Sequence, residues 1–85
     1  MKNPSIDSLG NTKYYDDEGL CHRDDGPAYL STGYQSWHFH GIFHREDGPA
    51  REWYSGYKEW WYNGKIIFCK SQEEFERIVK LKAFW

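Results

Sequence analysis

The chain has 85 residues, a formal net charge of −2 from 11 basic and 13 acidic side chains, and aromatic rings on 20% of its positions. That length holds one domain and no second. The charge balance excludes a global positive field for nucleic acid or anionic membranes, and also the acidity of a DNA mimic. With so many rings in so short a chain, the core is expected to be aromatic.

Residues 1–9 lack periodicity and include Asn3, Pro4 and Ser5, which suits a loose entry arm. From residue 10 the chain repeats itself. Gly19-Leu20-Cys21-His22-Arg23-Asp24-Asp25-Gly26-Pro27-Ala28 returns 22 residues later as Gly41-Ile42-Phe43-His44-Arg45-Glu46-Asp47-Gly48-Pro49-Ala50. Gly33 to Gly41 is answered 23 residues later by Gly56 to Gly64, and Gly10 to Tyr15 aligns with the start of both. A fixed period of this length predicts stacked supersecondary units, none able to bury its apolar face alone.

The punctuation is that of β-hairpins, with Ser31-Thr32-Gly33 and Ser55-Gly56 at one end and His40-Gly41 and Asn63-Gly64 at the other. Aromatic strands are predicted over 34–39 and 57–62. Alternation places Trp37, Phe39, Trp60 and Tyr62 on a core face, and Tyr34, Ser36, His38, Tyr57, Glu59 and Trp61 on the other. The one-residue insertion between the blocks is expected as a bulge in 28–31 or 50–54, whose faces it leaves unassigned.

After Gly64 an apolar return strand replaces the His-Arg pair. Ser71-Gln72-Glu73-Glu74 then has the form of a capping box, followed at helical spacing by Phe75, Ile78, Val79, Leu81 and Trp85. The predicted fold is α+β, mainly β: a twisted antiparallel meander of two and a half hairpin repeats, capped by a C-terminal helix. The whole of 1–85 is one domain, with an arm over 1–9, hairpin repeats over 10–69 and an amphipathic helix over 71–84.

Cys21 stands where the next copy has Phe43, so it reads as a buried apolar site, and a Cys21–Cys69 bridge is disfavoured. A charged-then-apolar leader, a membrane-spanning run and a lipidation motif are all missing, so a cytoplasmic chain is the expectation.

Three constellations could carry chemistry. The twice-present His-Arg-x-Asp-Gly-Pro-Ala offers an imidazole, a guanidinium and a carboxylate, at His22, Arg23 and Asp25 and again at His44, Arg45 and Asp47. Catalysis at His44 is one reading. A structural turn, in which Asp folds onto the backbone, Gly supplies flexible φ and Arg or His pairs with Asp, is preferred because the motif recurs with the fold. His22, His38, His40 and His44 form the second constellation, a small-ligand or metal site in the alternative reading, though their spacing lacks the paired form of a zinc motif. The third is the set of positions where the repeats differ, since a scaffold repeats what it needs and varies what it displays. Tyr34, His38, Tyr57, Glu59 and Trp61 are the candidate partner-binding residues, with Trp and Tyr as anchors. Cover of that face by the helix is the competing expectation.

The repeat resembles the MORN-like variant repeats, most closely the His-Arg-Glu-Asp-Gly-Pro-Ala arrays with Trp-Tyr-x-Asn-Gly turns of small phage and large-DNA-virus proteins. The matching positions are His22 to Ala28, His44 to Ala50 and Trp60 to Lys65, within residues 10–69. The ending from Phe68 to Phe75 and from Leu81 to Trp85 is similar to the same group. The resemblance implies a protein-binding or lipid-binding scaffold, with antitoxins among related chains, and a phage origin. The leading expectation is a small non-enzymatic protein-binding module without cofactors that inhibits or sequesters a host protein such as a defence effector or toxin in the host cytoplasm. Nucleic-acid and membrane partners are not expected, and an exposed sheet edge could pair two copies.

Overall fold

The structure is a computed structural model and describes residues 4–81. It is mainly antiparallel β with a C-terminal helix. The strands are β1 Ser5–Ile6, β2 Thr12–Lys13, β3 Tyr29–Ser31, β4 Tyr34–Ser36, β5 His38–Phe39, β6 Ile42–Phe43, β7 Arg51–Trp53, β8 Lys58–Tyr62 and β9 Lys65–Ile67, followed by helix α1, Gln72–Leu81. A seven-stranded sheet runs β1-β2-β3-β4-β7-β8-β9, and β5 and β6 pair separately.

Each aromatic strand changes partner half-way. The Trp37 amide donates to Ala50 O in the main sheet at 2.7 Å, while its carbonyl accepts from His44 N at 3.2 Å on the other side. The strand predicted over 34–39 is therefore divided at Trp37 into β4 and β5. β8 makes the same change without a break, pairing Lys58 and Glu59 with β7 and Trp60 to Tyr62 with β9.

The turns follow local chemistry. His40-Gly41 and Asn63-Gly64 have positive φ at both positions (48° and 90°, 49° and 79°), the type I′ geometry whose twist matches that of paired strands. The extra residue between the repeats falls at the turn after Trp53, as a glycine bulge. It lengthens the β7–β8 turn to Tyr54-Ser55-Gly56, where Gly56 at φ 97° donates to Trp53 O at 2.9 Å. The arm expected over 1–9 is corrected from Ser5 onward. The Asp7 carboxylate accepts from the amides of Leu9 and Asn11 and from Asn11 Nδ2, closing a turn that pairs β1 with β2. Met1 to Asn3 lie outside the described residues.

The core sits at the C-terminal end, where Trp60, Ile67 and Phe75 cluster and Tyr62, Ile78 and Val79 pack around them. Helix α1 is capped by Ser71, whose Oγ accepts from Glu74 N while the Glu74 carboxylate accepts from Lys70 N. Gln72 ties it down, accepting from Trp60 Nε1 at 2.9 Å and donating to Glu46 O at 2.9 Å. Three placements are corrected. Phe39 is 45% exposed, because α1 covers only the last unit, and Leu81 is 75% exposed at the helix end. The helical positions expected beyond Leu81 lie outside the described residues. Ser36, placed on the outward face, is buried at 1% exposure beneath His38, so that face is packed as well.

Candidate functional site

The face opposite α1 is built by cross-strand register. Tyr34 pairs with Trp53, Ser36 with Arg51 and Arg51 with Glu59, so β4, β7 and β8 present these side chains side by side. Arg51 is the centre. Its Nε donates to Tyr34 Oη at 2.8 Å and its Nη1 to Glu59 Oε1 at 3.2 Å. Its guanidinium lies 4.6 Å from the Phe43 ring, 4.7 Å from Trp53 and 5.5 Å from Tyr34. Glu59 in turn accepts from Trp61 Nε1 at 3.0 Å and from Tyr57 Oη at 3.3 Å. A row of rings continues this network: Tyr29 to Tyr34 at 5.9 Å, Tyr34 to Trp53 at 5.0 Å and Trp53 to Tyr57 at 5.1 Å.

His38 stands beside this network, Nε2 2.8 Å from Ser36 Oγ and its ring 4.6 Å from that of Phe43. Burial pushes its pKa down to about 4, helped by the positive charges of Arg51 and Lys13, so the ring is neutral at pH 7. Its Nδ1 is buried without a hydrogen-bond partner among the described residues. A shallow cavity of about 290 Å³ opens next to it, lined by Lys13, Tyr15, Cys21, Tyr29 and Tyr34.

All five partner-binding candidates, Tyr34, His38, Tyr57, Glu59 and Trp61, thus come together on the face that the helix leaves uncovered. Trp61 is half-buried on Phe43 at 5.0 Å between ring centroids, while Tyr57 is 58% exposed. Sequence reasoning missed Arg51, Trp53 and Phe43. The first two lie in the segment whose faces were unassigned, and the available signal was their own alternation, Arg51 and Trp53 being two apart.

The repeated turn motif lies on the opposite face and its geometry is duplicated. Arg23 Nε meets Asp25 Oδ1 at 2.9 Å, Nη1 donates to Pro27 O, and the guanidinium lies 4.1 Å from the Tyr14 ring. Arg45 does the same with Asp47 at 2.7 Å, Pro49 O and the Trp37 ring at 3.8 Å. His22 Nδ1 accepts from His40 N, and His44 Nδ1 from Asn63 N, both at 2.9 Å. Each imidazole therefore holds the next hairpin turn by its backbone. Gly26 and Gly48 are not in the left-handed region, which corrects the role expected of them. They leave room for the arginine, since a Cβ on Gly48 would stand 2.6 Å from Arg45 Cζ and one on Gly26 3.1 Å from Arg23 Cζ. Ala28 and Ala50, closing the motif, are fully buried.

The four histidines do not converge. His22 and His40 stack at 4.2 Å, with His22 also near Asp24 and His40 Nδ1 2.6 Å from Asp16. His38 turns to the other face, and among the described residues no group of three His, Cys, Asp or Glu side chains is placed to hold a metal. Both cysteines are free and half-buried; burial raises the Cys21 thiol pKa, and burial with nearby Glu74 raises that of Cys69. Among the described residues no helix is long and apolar enough to cross a membrane. No protein-family model, curated protein or solved structure matches the chain.

Proposed function

We propose that this chain is a non-enzymatic protein-binding module of two and a half MORN-like hairpin repeats, and that its partner docks on the face centred on Arg51. The observation that carries the reading is the fixed cluster of Tyr34, Trp53, Tyr57, Glu59 and Trp61 around Arg51, outside the cover of α1. Tyr, Trp and Arg are the residue types that dominate binding energy at protein interfaces. Their mutual hydrogen bonds hold the side chains before the partner arrives, so little rotamer freedom is left to lose on binding. The Arg51–Glu59 pair is internally neutralised, which suits a partner surface that is polar and aromatic without strong charge.

The resemblance to phage and large-DNA-virus arrays gives the partner its class, a host protein inhibited or sequestered in the host cytoplasm. The test is capture from host lysate by the tagged chain at moderate and high salt, read by mass spectrometry beside a Tyr57→Ala/Trp61→Ala variant with unchanged circular dichroism. One stoichiometric, salt-resistant partner, lost in the variant, is expected. Equal capture by the folded variant would sink this face as the site, and no capture at all would sink the protein-partner reading. Because Trp61 packs on Phe43, Tyr57→Lys at the 58% exposed Tyr57 provides a second variant that keeps the Trp61–Phe43 contact.

A further inference from the structure

The chain covers the outer edge of each of its hairpins in one way, until the last. Two kinds of edge are involved. In the main sheet, Thr12 of β2 is covered by Leu30 of β3, and Gln35 of β4 by Glu52 of β7. In the return segments, Cys21 O accepts from Gly41 N at 2.7 Å and Arg23 N donates to His38 O at 3.3 Å. One unit later, Phe43 O accepts from Gly64 N at 2.9 Å and Arg45 N donates to Trp61 O at 3.3 Å. The covering group is each time the next strand together with the next glycine turn.

The last unit presents the same edge with nothing on it among the described residues. Trp53 N donates to Tyr57 O and Ala50 N to Glu59 O, a pattern that turns both backbone groups of Lys58 away from β7. The two-residue turn at Asn63-Gly64 likewise directs Ile66 O and Phe68 N outward from the β8–β9 pair. Phe68 follows with its side chain 83% exposed, in the position where the earlier units carry Arg23 and Arg45. Helix α1 lies on the Trp60 face, and its Glu74 forms one wall of an open groove of about 360 Å³ that runs between Lys58 and Phe68.

The opposite end of the sheet carries the complementary piece. Strand β1 stands to β2 as β3 stands to β4 and β7 to β8, with Ile6 opposite Thr12 where Leu30 is opposite Gln35 and Glu52 opposite Lys58. Asp7 N donates to Asn11 O, which turns the backbone groups of Ile6 outward, and its side chain is 66% exposed. We infer that a second copy of this chain docks head to tail on the Lys58 and Ile66–Phe68 edge. Ile6 of that copy pairs with Lys58, and its Tyr15–Gly19 turn, longer than the internal turns and with Gly19 N donating to its own Asp16 O, lies beside Ile66 and Phe68. Charge favours this direction. The incoming turn displays Asp17 and Glu18, Asp16 being taken up by His40, and the receiving groove is lined by Lys58 and Lys70 beside Glu74. The contact is heterologous, so it propagates beyond a dimer, and it uses backbone edges outside the Arg51 face.

The test is sedimentation velocity of the full chain from about 10 μM to about 1 mM. The weight-average mass should rise more than about twofold across that range at low salt and fall back at high salt, as screening of the facing charges requires. Ile6→Pro and Phe68→Pro each remove an amide that the chain itself does not use, blocking opposite ends. Each variant alone should be monomeric, and an equimolar mixture should form a 1:1 dimer that grows no further. Should either proline perturb the circular dichroism, Ile6→Lys and Phe68→Glu block the same ends through exposed side chains. A wild-type monomer throughout, a singly blocked variant that dimerises by pairing like edges, or a mixture that stays monomeric would each overturn the proposal.

Discussion

Gly48→Ala isolates the part of the turn motif that depends on empty space. The backbone at Gly48 lies outside the left-handed region, so alanine meets no conformational penalty there. The obstacle is Arg45, whose Cζ, Nη2 and Nε would stand 2.6, 2.9 and 3.0 Å from the new Cβ. A free arginine would swing aside at little cost, but this one is pinned by Pro49 O, the Trp37 ring, Asp47 and, at 3.5 Å, the Glu52 carboxylate. Its bond to Pro49 O is worth about 1.5 kcal/mol as a charge-assisted hydrogen bond. The 3.8 Å approach to Trp37 adds about 1 kcal/mol. The Asp47 pair adds no more than about 0.5 kcal/mol, because that carboxylate is 85% exposed. Losing most of this, less about 0.5 kcal/mol regained from the stiffer unfolded chain, gives a net destabilisation of about 2 kcal/mol. For a domain this small that is a fall in Tm of roughly 8–16 °C. Gly26→Ala, with a nearest approach of 3.1 Å, should cost about half as much. The assay is urea unfolding of Gly48→Ala, Arg45→Ala and the double variant. With the guanidinium gone, only the stiffening of the unfolded chain remains, so the double variant should be about 0.5 kcal/mol more stable than Arg45→Ala alone. Additive single effects, or a Gly48→Ala change below about 0.5 kcal/mol, would refute the claim that glycine is there to admit arginine.

Two further predictions concern the opposite face and the helix. His38 has a folded pKa of about 4 against an ordinary 6.5, so the fold favours its neutral form. Its contribution is complete above pH 6.5 and is lost as pH falls toward 4. Tm measured between pH 7 and pH 4 should therefore decline in that window and flatten in His38→Gln, and a flat wild-type profile would contradict the burial argument. Phe75, 1% exposed against Trp60 and Ile67, should cost about 3–4 kcal/mol on change to Ala. A red-shifted Trp emission below the main transition would show α1 leaving the sheet, and an unchanged Tm would mean that the helix is not what closes this core.

The hairpin turns at His40-Gly41 and Asn63-Gly64 and the helix start were legible because each depends on neighbouring residues: Asn63 beside Gly64, Ser71 three before Glu74. The face carrying Tyr34, Tyr57, Glu59 and Trp61 followed from alternation alone, since β8 keeps period two through its change of partner after Glu59. What escaped depended on contacts between distant segments. Arg51 gains its place from Tyr34, Phe43, Trp53 and Glu59, and nothing adjacent to it in the chain announces that. Ordering of the arm from Ser5 was written locally in Asp7 and Asn11, but a polar cluster of that kind is equally compatible with a free turn. The exposure of Phe39 is set by how far α1 reaches, a tertiary property that periodicity does not encode.

The rings of Tyr14, Trp37 and Trp60 occupy successive equivalent sites, covered in turn by Arg23, Arg45 and the helix that carries Phe75. The lid on the first two is polar and comes from the unit's own turn; the lid on the third is apolar and comes from outside the array. Length and termination are thus encoded separately, and the gene can lengthen by duplicating an internal block without redesigning either end. A chain with one more copy of residues 42–64 inserted after Gly64 would find its own arginine to cover Trp60 and would hand the helix to the new last tryptophan. What evolution must keep unique is only the final ring and the segment that seals it.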